Sequence, residues 1–273
     1  MKKALLIGIN YFGTQSELQG CINDMLNLRD MLKNHYGFLD ENIVLLQDGD
    51  AGLGPITQLP TRDTILYHLD DLLKGVHPGD SLFLAYSGHG SSIRDYQLDE
   101  SDGKDEVIIP QDWQTNGIIS DDEIFTRLIS LVPSAVRLTC FFDACHSGTV
   151  CDLKYNFRYA GALPSVSSTT NYSNNQNKYT VWQEHRKSVL AGGNVIMFSG
   201  CYDEQSSADA QIGNKNQGAF TYAMLRTLQS CNYNIKNKYL LKDVNCLLAS
   251  LGFEQRSQLS CTYFSLFDSN FTM

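Results

Sequence analysis

Leu82-Phe83-Leu84-Ala85-Tyr86 runs straight into Ser87-Gly88-His89-Gly90, and Leu138-Thr139-Cys140-Phe141-Phe142 runs straight into Asp143-Ala144-Cys145-His146-Ser147-Gly148. Each is a short apolar run ending in small and polar residues, the pattern of a buried strand followed by a tight turn. Apolar runs recur at Ala4–Ile9, Ile43–Leu46 and Val195–Phe198, and a late run, Cys261–Phe267, reads as a sixth strand. Val107–Ile109 fits a small side hairpin. Helical patterns lie between. Cys21, Met25, Leu28 and Leu32 share one face of a helix. Thr61 reads as the N-cap of a helix carrying Ile65, Leu69, Leu72 and Leu73, with Gly75 as its stop. Ser120 and Glu123 form a capping box before Ile124, Leu128 and Leu131. Gly218–Leu228 and Tyr239–Leu251 supply two more helices. Strand–helix alternation predicts an α/β fold, a mostly parallel sheet flanked by helices on both faces.

In an open sheet of this kind, chemistry happens at the carboxyl ends of the strands. His89 and Cys145, 56 positions apart, are both delivered there in glycine-bracketed turns. An imidazole and a thiol so placed make a proton shuttle and a nucleophile, with the histidine upstream as in caspase-type sites. A single buried cysteine is more often a structural thiol; two reactive groups at two strand ends favour chemistry. His146 competes as the partner. Neighbouring side chains diverge at a strand end, which favours His89.

The composition narrows the partners. The chain has 273 residues and a net charge of −9, which argues against a nucleic-acid binder and leaves basic peptides and cations open. None of the 8 cysteines forms a CxxC pair, and no zinc pattern is present. The first apolar run is too short for a secretory leader, and no run approaches the roughly 20 residues needed to cross a bilayer. These features predict a protein of a reducing, cytoplasmic compartment with no membrane partner. Neither GxSxG, GxGxxG nor a Walker A motif occurs, which disfavours an α/β hydrolase or a nucleotide-binding protein.

One stretch breaks the alternation. Tyr155 to Gly193 is rich in Ser, Thr, Asn, Gln and Tyr with little periodicity. It reads either as a solvated insertion or as a processed regulatory loop, with Lys154, Arg158, Lys178, Arg186 and Lys187 as candidate cleavage points. The chain therefore divides into residues 1–154 with both reactive groups, a linker at 155–193, and residues 194–273, within one domain.

Five segments together resemble the hallmark sequences of metacaspases. They are Gly8-Ile9-Asn10-Tyr11, Gly20-Cys21-x-Asn23-Asp24, Ser87-Gly88-His89-Gly90, Asp143-Ala144-Cys145-His146-Ser147-Gly148, and Ser199-Gly200-Cys201 continuing to Ser207-Ala208-Asp209. They occur in the family's order along nearly the whole chain, and the short linker is similar to type I members. Ala144 departs from the family's usual Ser. The Pro/Gln-rich extension of many type I members is expected to be absent, since the first strand begins at once.

The resemblance implies a caspase-like fold with a six-stranded sheet, a His89/Cys145 dyad and a monomeric peptidase acting through a thioester. The Gly90 and Cys145 N–H groups flank the reacting atoms and are candidates for the oxyanion hole. The alternative is a catalytically silent scaffold of the same fold that binds partners; both reactive residues being intact speaks against it.

Asp143 precedes Cys145 by two residues, so strand alternation can place both on one side of the chain end. A carboxylate there pairs with a cationic substrate residue and repels an acidic one. Asp24 supplies a second acidic wall, or only a favourable charge at a helix start. Asp143 in turn reads alternatively as a structural hydrogen-bond acceptor. The resemblance implies an S1 pocket for Arg or Lys at Cys21, Asp24, Ser87 and Asp143.

Between the two motifs lies an acidic load: Asp95, Asp99, Glu100, Asp102, Asp105, Glu106, Asp112, Asp121 and Asp122. Hard cations such as Ca²⁺ need six to eight oxygen ligands, yet no EF-hand spacing is present, so a solvated acidic loop reads as well as a composite site. The resemblance implies an activating Ca²⁺ on Asp105, Asp121, Asp122 and Asp152.

Overall fold

The computed structural model describes residues 1–49, 58–95, 103–163, 178–183 and 192–273. In chain order the strands are β1 Lys2–Gly8, β2 Ile43–Gln47, β3 Ser81–Ser87, β4 Gly90–Arg94, β5 Lys104–Ile108, β6 Ile119–Ser120, β7 Arg137–Asp143, β8 Tyr155–Tyr159, β9 Tyr179–Gln183, β10 Asn194–Ser199, β11 Asp209–Ile212, β12 Lys215–Gly218 and β13 Gln258–Cys261. The helices are α1 Cys21–Tyr36, α2 Arg62–Leu72, α3 Trp113–Asn116, α4 Asp121–Arg127, α5 Ala219–Ser230, α6 Asn237–Ser250 and α7 Phe264–Asp268.

The main sheet runs β2-β1-β3-β7-β10-β13-β8-β9. The first five of these strands pair in parallel, and β13, β8 and β9 close the sheet antiparallel. Unbroken apolar runs are what a sheet covered on both faces requires. Alternate residues of each run feed opposite cores. Leu5, Leu84, Tyr86, Cys140 and Phe142 face α2 and α4, whereas Leu6, Phe83, Ala85, Phe141 and Phe198 face α1, α5 and α6. Phe141 centres the second core, with its ring centroid 5.1 Å from Phe83 and 5.9 Å from both Phe198 and Phe220.

The predicted caps are present. The Thr61 side chain accepts the Thr64 amide at the start of α2, and Ser120 accepts the Glu123 amide at the start of α4. Asn10 caps α1 from a distance, its Oδ1 accepting the Cys21 and Ile22 amides at 3.0 and 3.4 Å.

Two expectations change. The sheet has eight strands among the described residues instead of six, because the stretch read as a linker contributes β8 and β9. Tyr155, Phe157 and Tyr159 alternate with polar residues, a strand signal masked by the polar composition around it. Arg158 is paired within β8 and bound by Gln258 and Glu204, which makes it a poor cleavage point. Arg186 and Lys187 lie outside the described residues. The late run Cys261–Phe267 is not one strand. β13 ends at Cys261, and Phe264 and Phe267 sit three apart on α7, where the Phe267 ring stacks 3.9 Å from Phe157.

The register positions the site. Parallel pairing of β3 with β7 sets Ser87 opposite Asp143. His89 and Cys145 each follow two residues later, so the two turns leave the sheet side by side. β4, β5 and β6 form a small antiparallel sheet that carries the chain away from His89, including the predicted hairpin strand.

Candidate active site

His89 and Cys145 line one cavity of about 100 Å³ at the carboxyl edge of β3 and β7, together with Cys21, Ser87, Asp143 and Asp209. Cys145 is half-buried, with Sγ 3.9 Å from the Ser207 carbonyl. The His89 Nε2–H donates to the Ser16 carbonyl at 2.7 Å. A carbonyl can only accept, so this bond fixes the tautomer and leaves Nδ1 as the acceptor nitrogen. His146 turns away: it sits at φ 53° and its Nδ1–H donates to the Asp203 carbonyl. His89 lines the cavity with Cys145, whereas His146 is not among its lining residues. Gly90 packs so tightly on the cysteine turn that a Cβ there would lie 2.1 Å from the Cys145 carbonyl oxygen. Only glycine lets the two turns meet.

The four residues expected to form an acidic pocket converge. Cys21, Ser87 and Asp143 line the cavity, and Asp24 stands directly behind it, fully buried. Asp24 accepts the Ser87 hydroxyl at 2.8 Å and the Gly218 amide at 3.0 Å. Asp143 accepts the Ser207 hydroxyl at 2.5 Å and both the amide and hydroxyl of Thr221 at 2.8 Å. A Cβ at Gly218 would touch both carboxylates, 2.1 Å from Asp143 and 2.8 Å from Asp24. Burial raises both carboxyls above the usual Asp range, and the Asp143 charge raises Asp24 further. An added cation would lower both.

Asp209 is a member of this site that sequence reasoning missed. It lines the cavity and accepts the Gln19 and Gly20 amides at 2.6 and 3.2 Å. Its signal was its place at the end of the Ser207-Ala208-Asp209 segment. The Ser16 carbonyl carries no signal in the sequence at all.

Asp105, Asp121 and Asp122 offer carboxylate oxygens that all lie within 4.8 Å of one another. Oxygens sharing one Ca²⁺ at 2.3–2.6 Å fall within about 5 Å of each other, so the donor type and spacing fit that ion. Asp121 also accepts the amides of Glu106 and Asp122 at 2.7 Å. Asp152 is buried in the loop after Cys145, at φ 48°, and is not one of that triple. The neighbouring Cys151 thiol is raised by burial, by Cys140, and by the charges of Asp152 and Asp121. Asp99, Glu100 and Asp102 lie outside the described residues.

All eight cysteines are free thiols. No helix among the described residues is long and apolar enough to cross a membrane.

Comparison with known proteins bears on this arrangement. Residues 2–154 match the family described as metacaspase, peptidase C14 domain. Metacaspase-1 of Pyricularia oryzae is 38% identical over 96% of this chain and 72% of its own length. Metacaspase-1 of Kluyveromyces lactis is 37% identical over 96% of this chain and 66% of its own length. Among solved structures, protein GSU0716 from Geobacter sulfurreducens superposes with a TM-score of 0.65 at 23% identity, over 100% of this chain and 98% of that one. Caspase-1 from Spodoptera frugiperda superposes with a TM-score of 0.56 at 13% identity, over 95% of this chain and 85% of that one. The fold is shared with caspases and the sequence with metacaspases: the chain belongs to the metacaspase family of cysteine-type peptidases.

Proposed function

We propose that the chain is a Ca²⁺-activated endopeptidase that cleaves after Arg or Lys, with His89 and Cys145 as its dyad. The observation that carries the specificity is the buried Asp24–Asp143 pair beside Cys145, with Asp209 on the same cavity. Two carboxylates brought this close repel each other, and a cationic side chain in the cavity relieves that repulsion. An acidic side chain would add to it.

In the proposed reaction His89 Nδ1 takes the proton of the Cys145 thiol, and the resulting thiolate Sγ attacks the scissile carbonyl carbon as the carbonyl π electrons move onto oxygen. The Gly90 and Cys145 N–H groups take that oxyanion. His89 then delivers its proton to the leaving nitrogen as the C–N bond breaks, leaving a thioester. Water, deprotonated by His89, attacks the thioester and releases Cys145. The Ser16 carbonyl stabilises the imidazolium formed between these steps. Asp105, Asp121 and Asp122 would hold Ca²⁺, with Asp152 joining if its loop closes on them. The ion would neutralise their mutual repulsion and order the loop that follows the nucleophile.

The test is cleavage of a peptide library with and without Ca²⁺, by the wild type and by Cys145→Ala and His89→Ala. The expected result is cleavage after Arg and Lys that needs Ca²⁺ and is lost in both variants. A preference for Asp at the cleaved position would refute the pocket reading, and turnover by purified Cys145→Ala would refute the dyad.

A further inference from the structure

The backbone of His89 is held on both sides by phenols. Its N–H donates to Tyr11 Oη at 3.0 Å, and its carbonyl accepts from Tyr86 Oη at 2.6 Å. Each hydroxyl makes a second bond to Ile109. Tyr11 Oη donates to the Ile109 carbonyl at 2.6 Å, and the Ile109 N–H donates to Tyr86 Oη at 3.2 Å. Each phenol therefore accepts one amide and donates to one carbonyl, and the two oxygens lie 3.1 Å apart. The Tyr11 ring also packs on the imidazole, with centroids 4.6 Å apart.

Both tyrosines are buried, at 3% and 1% exposure, and neither takes part in the reaction described above. Their placement is specific. Tyr11 adopts φ 54°, a conformation that non-glycine residues seldom take and that clusters at functional sites. The Asp48 carboxylate holds it there, accepting the Asn10 amide at 2.8 Å and the Tyr11 amide at 2.5 Å. Beneath the turn, a Cβ on Gly88 would lie 2.7 Å from Tyr86 Oη and 3.0 Å from Tyr11 Oη, so glycine admits the pair.

With its peptide fixed on two sides and Nε2 bound to Ser16, the His89 imidazole has little freedom left. We infer that Tyr11 and Tyr86 are positioning residues that hold His89 in register with Cys145. The inference rests on the dyad reading. Bulk core packing would need the rings; positioning needs the hydroxyls.

The experiment measures kcat and KM of Tyr11→Phe, Tyr86→Phe and the double variant on an Arg peptide, with His89→Ala alongside. Folding is checked by near-UV circular dichroism, and the active fraction by titration of Cys145. Phe keeps each ring and removes only the hydroxyl. Per active site, kcat should fall about 10-fold in each single variant and about 100-fold in the double, with KM unchanged. A double variant with wild-type kcat, beside an inactive His89→Ala, would overturn the positioning role and leave the dyad standing. A fall in activity per mole of protein that vanishes once it is expressed per active site would overturn that role equally. An active His89→Ala would overturn the dyad reading itself, and the inference with it.

Discussion

Replacing Asp143 by Asn tests the acidic pocket most directly. The side chain keeps its shape, and its hydrogen bonds can be kept. The amide oxygen can still accept from Thr221, and the Ser207 hydroxyl can rotate from donor to acceptor toward the new NH₂. What is lost is charge. A guanidinium about 4 Å from a carboxylate gains about 4 kcal/mol at an effective dielectric constant near 20. Two effects reduce the measured loss. Burial raises Asp143 and Asp24, so the empty pair carries less than two full charges. Removing one carboxylate also lets the other ionise more fully. The expected net loss is about 2–3 kcal/mol, about 30- to 140-fold. The assay is kcat/KM on matched peptides with Arg or citrulline at the cleaved position, since citrulline keeps the shape without the charge. The Arg-to-citrulline preference should collapse by that factor while citrulline cleavage barely changes. An equal loss on both peptides would refute the reasoning and make Asp143 a structural acceptor for Thr221 and Ser207.

Three further outcomes are expected. Asp121→Ala should weaken Ca²⁺ binding by at least about tenfold in calorimetry while Mg²⁺ binds poorly to either form, because Mg²⁺ demands tighter octahedral geometry; undiminished binding would remove the Asp triple as the site. Because burial raises Asp24 and Asp143 in the folded state, their contribution to stability is full below the ordinary Asp value of about 3.9 and is lost as pH rises through the raised values. Binding of benzamidine to Cys145→Ala should therefore release protons and strengthen as pH rises through that range, read by calorimetry in two buffers of different ionisation enthalpy. Phe141→Ala, which empties the centre of the aromatic core, should cost about 3–5 kcal/mol in urea unfolding.

What the sequence by itself determined was local. The apolar runs set five parallel strands, and the spacing of Cys21, Met25, Leu28 and Leu32 set α1. Thr61 and Ser120 marked two helix starts. These signals need only neighbours within a turn or a pleat, so they survive without knowledge of the rest of the chain. The same locality misread Cys261–Phe267, whose composition suits a strand and whose Phe264 and Phe267 spacing suits a helix. It also hid β8 and β9, whose alternation is masked by the polar residues around it and which are ordered by pairing, β8 with β13 and β9 with β8. The site lay beyond local reach. The family resemblance named Cys21, Asp24, Ser87 and Asp143 together, but the geometry that joins them comes from tertiary structure. Parallel register sets Ser87 opposite Asp143, and α1 and the start of α5 close around Gly218. Asp209 and Tyr11 lay in hallmark segments without a role attached, and the Ser16 carbonyl and the Tyr86 hydroxyl had no separable pattern in the chain, because such groups acquire roles only when distant segments meet.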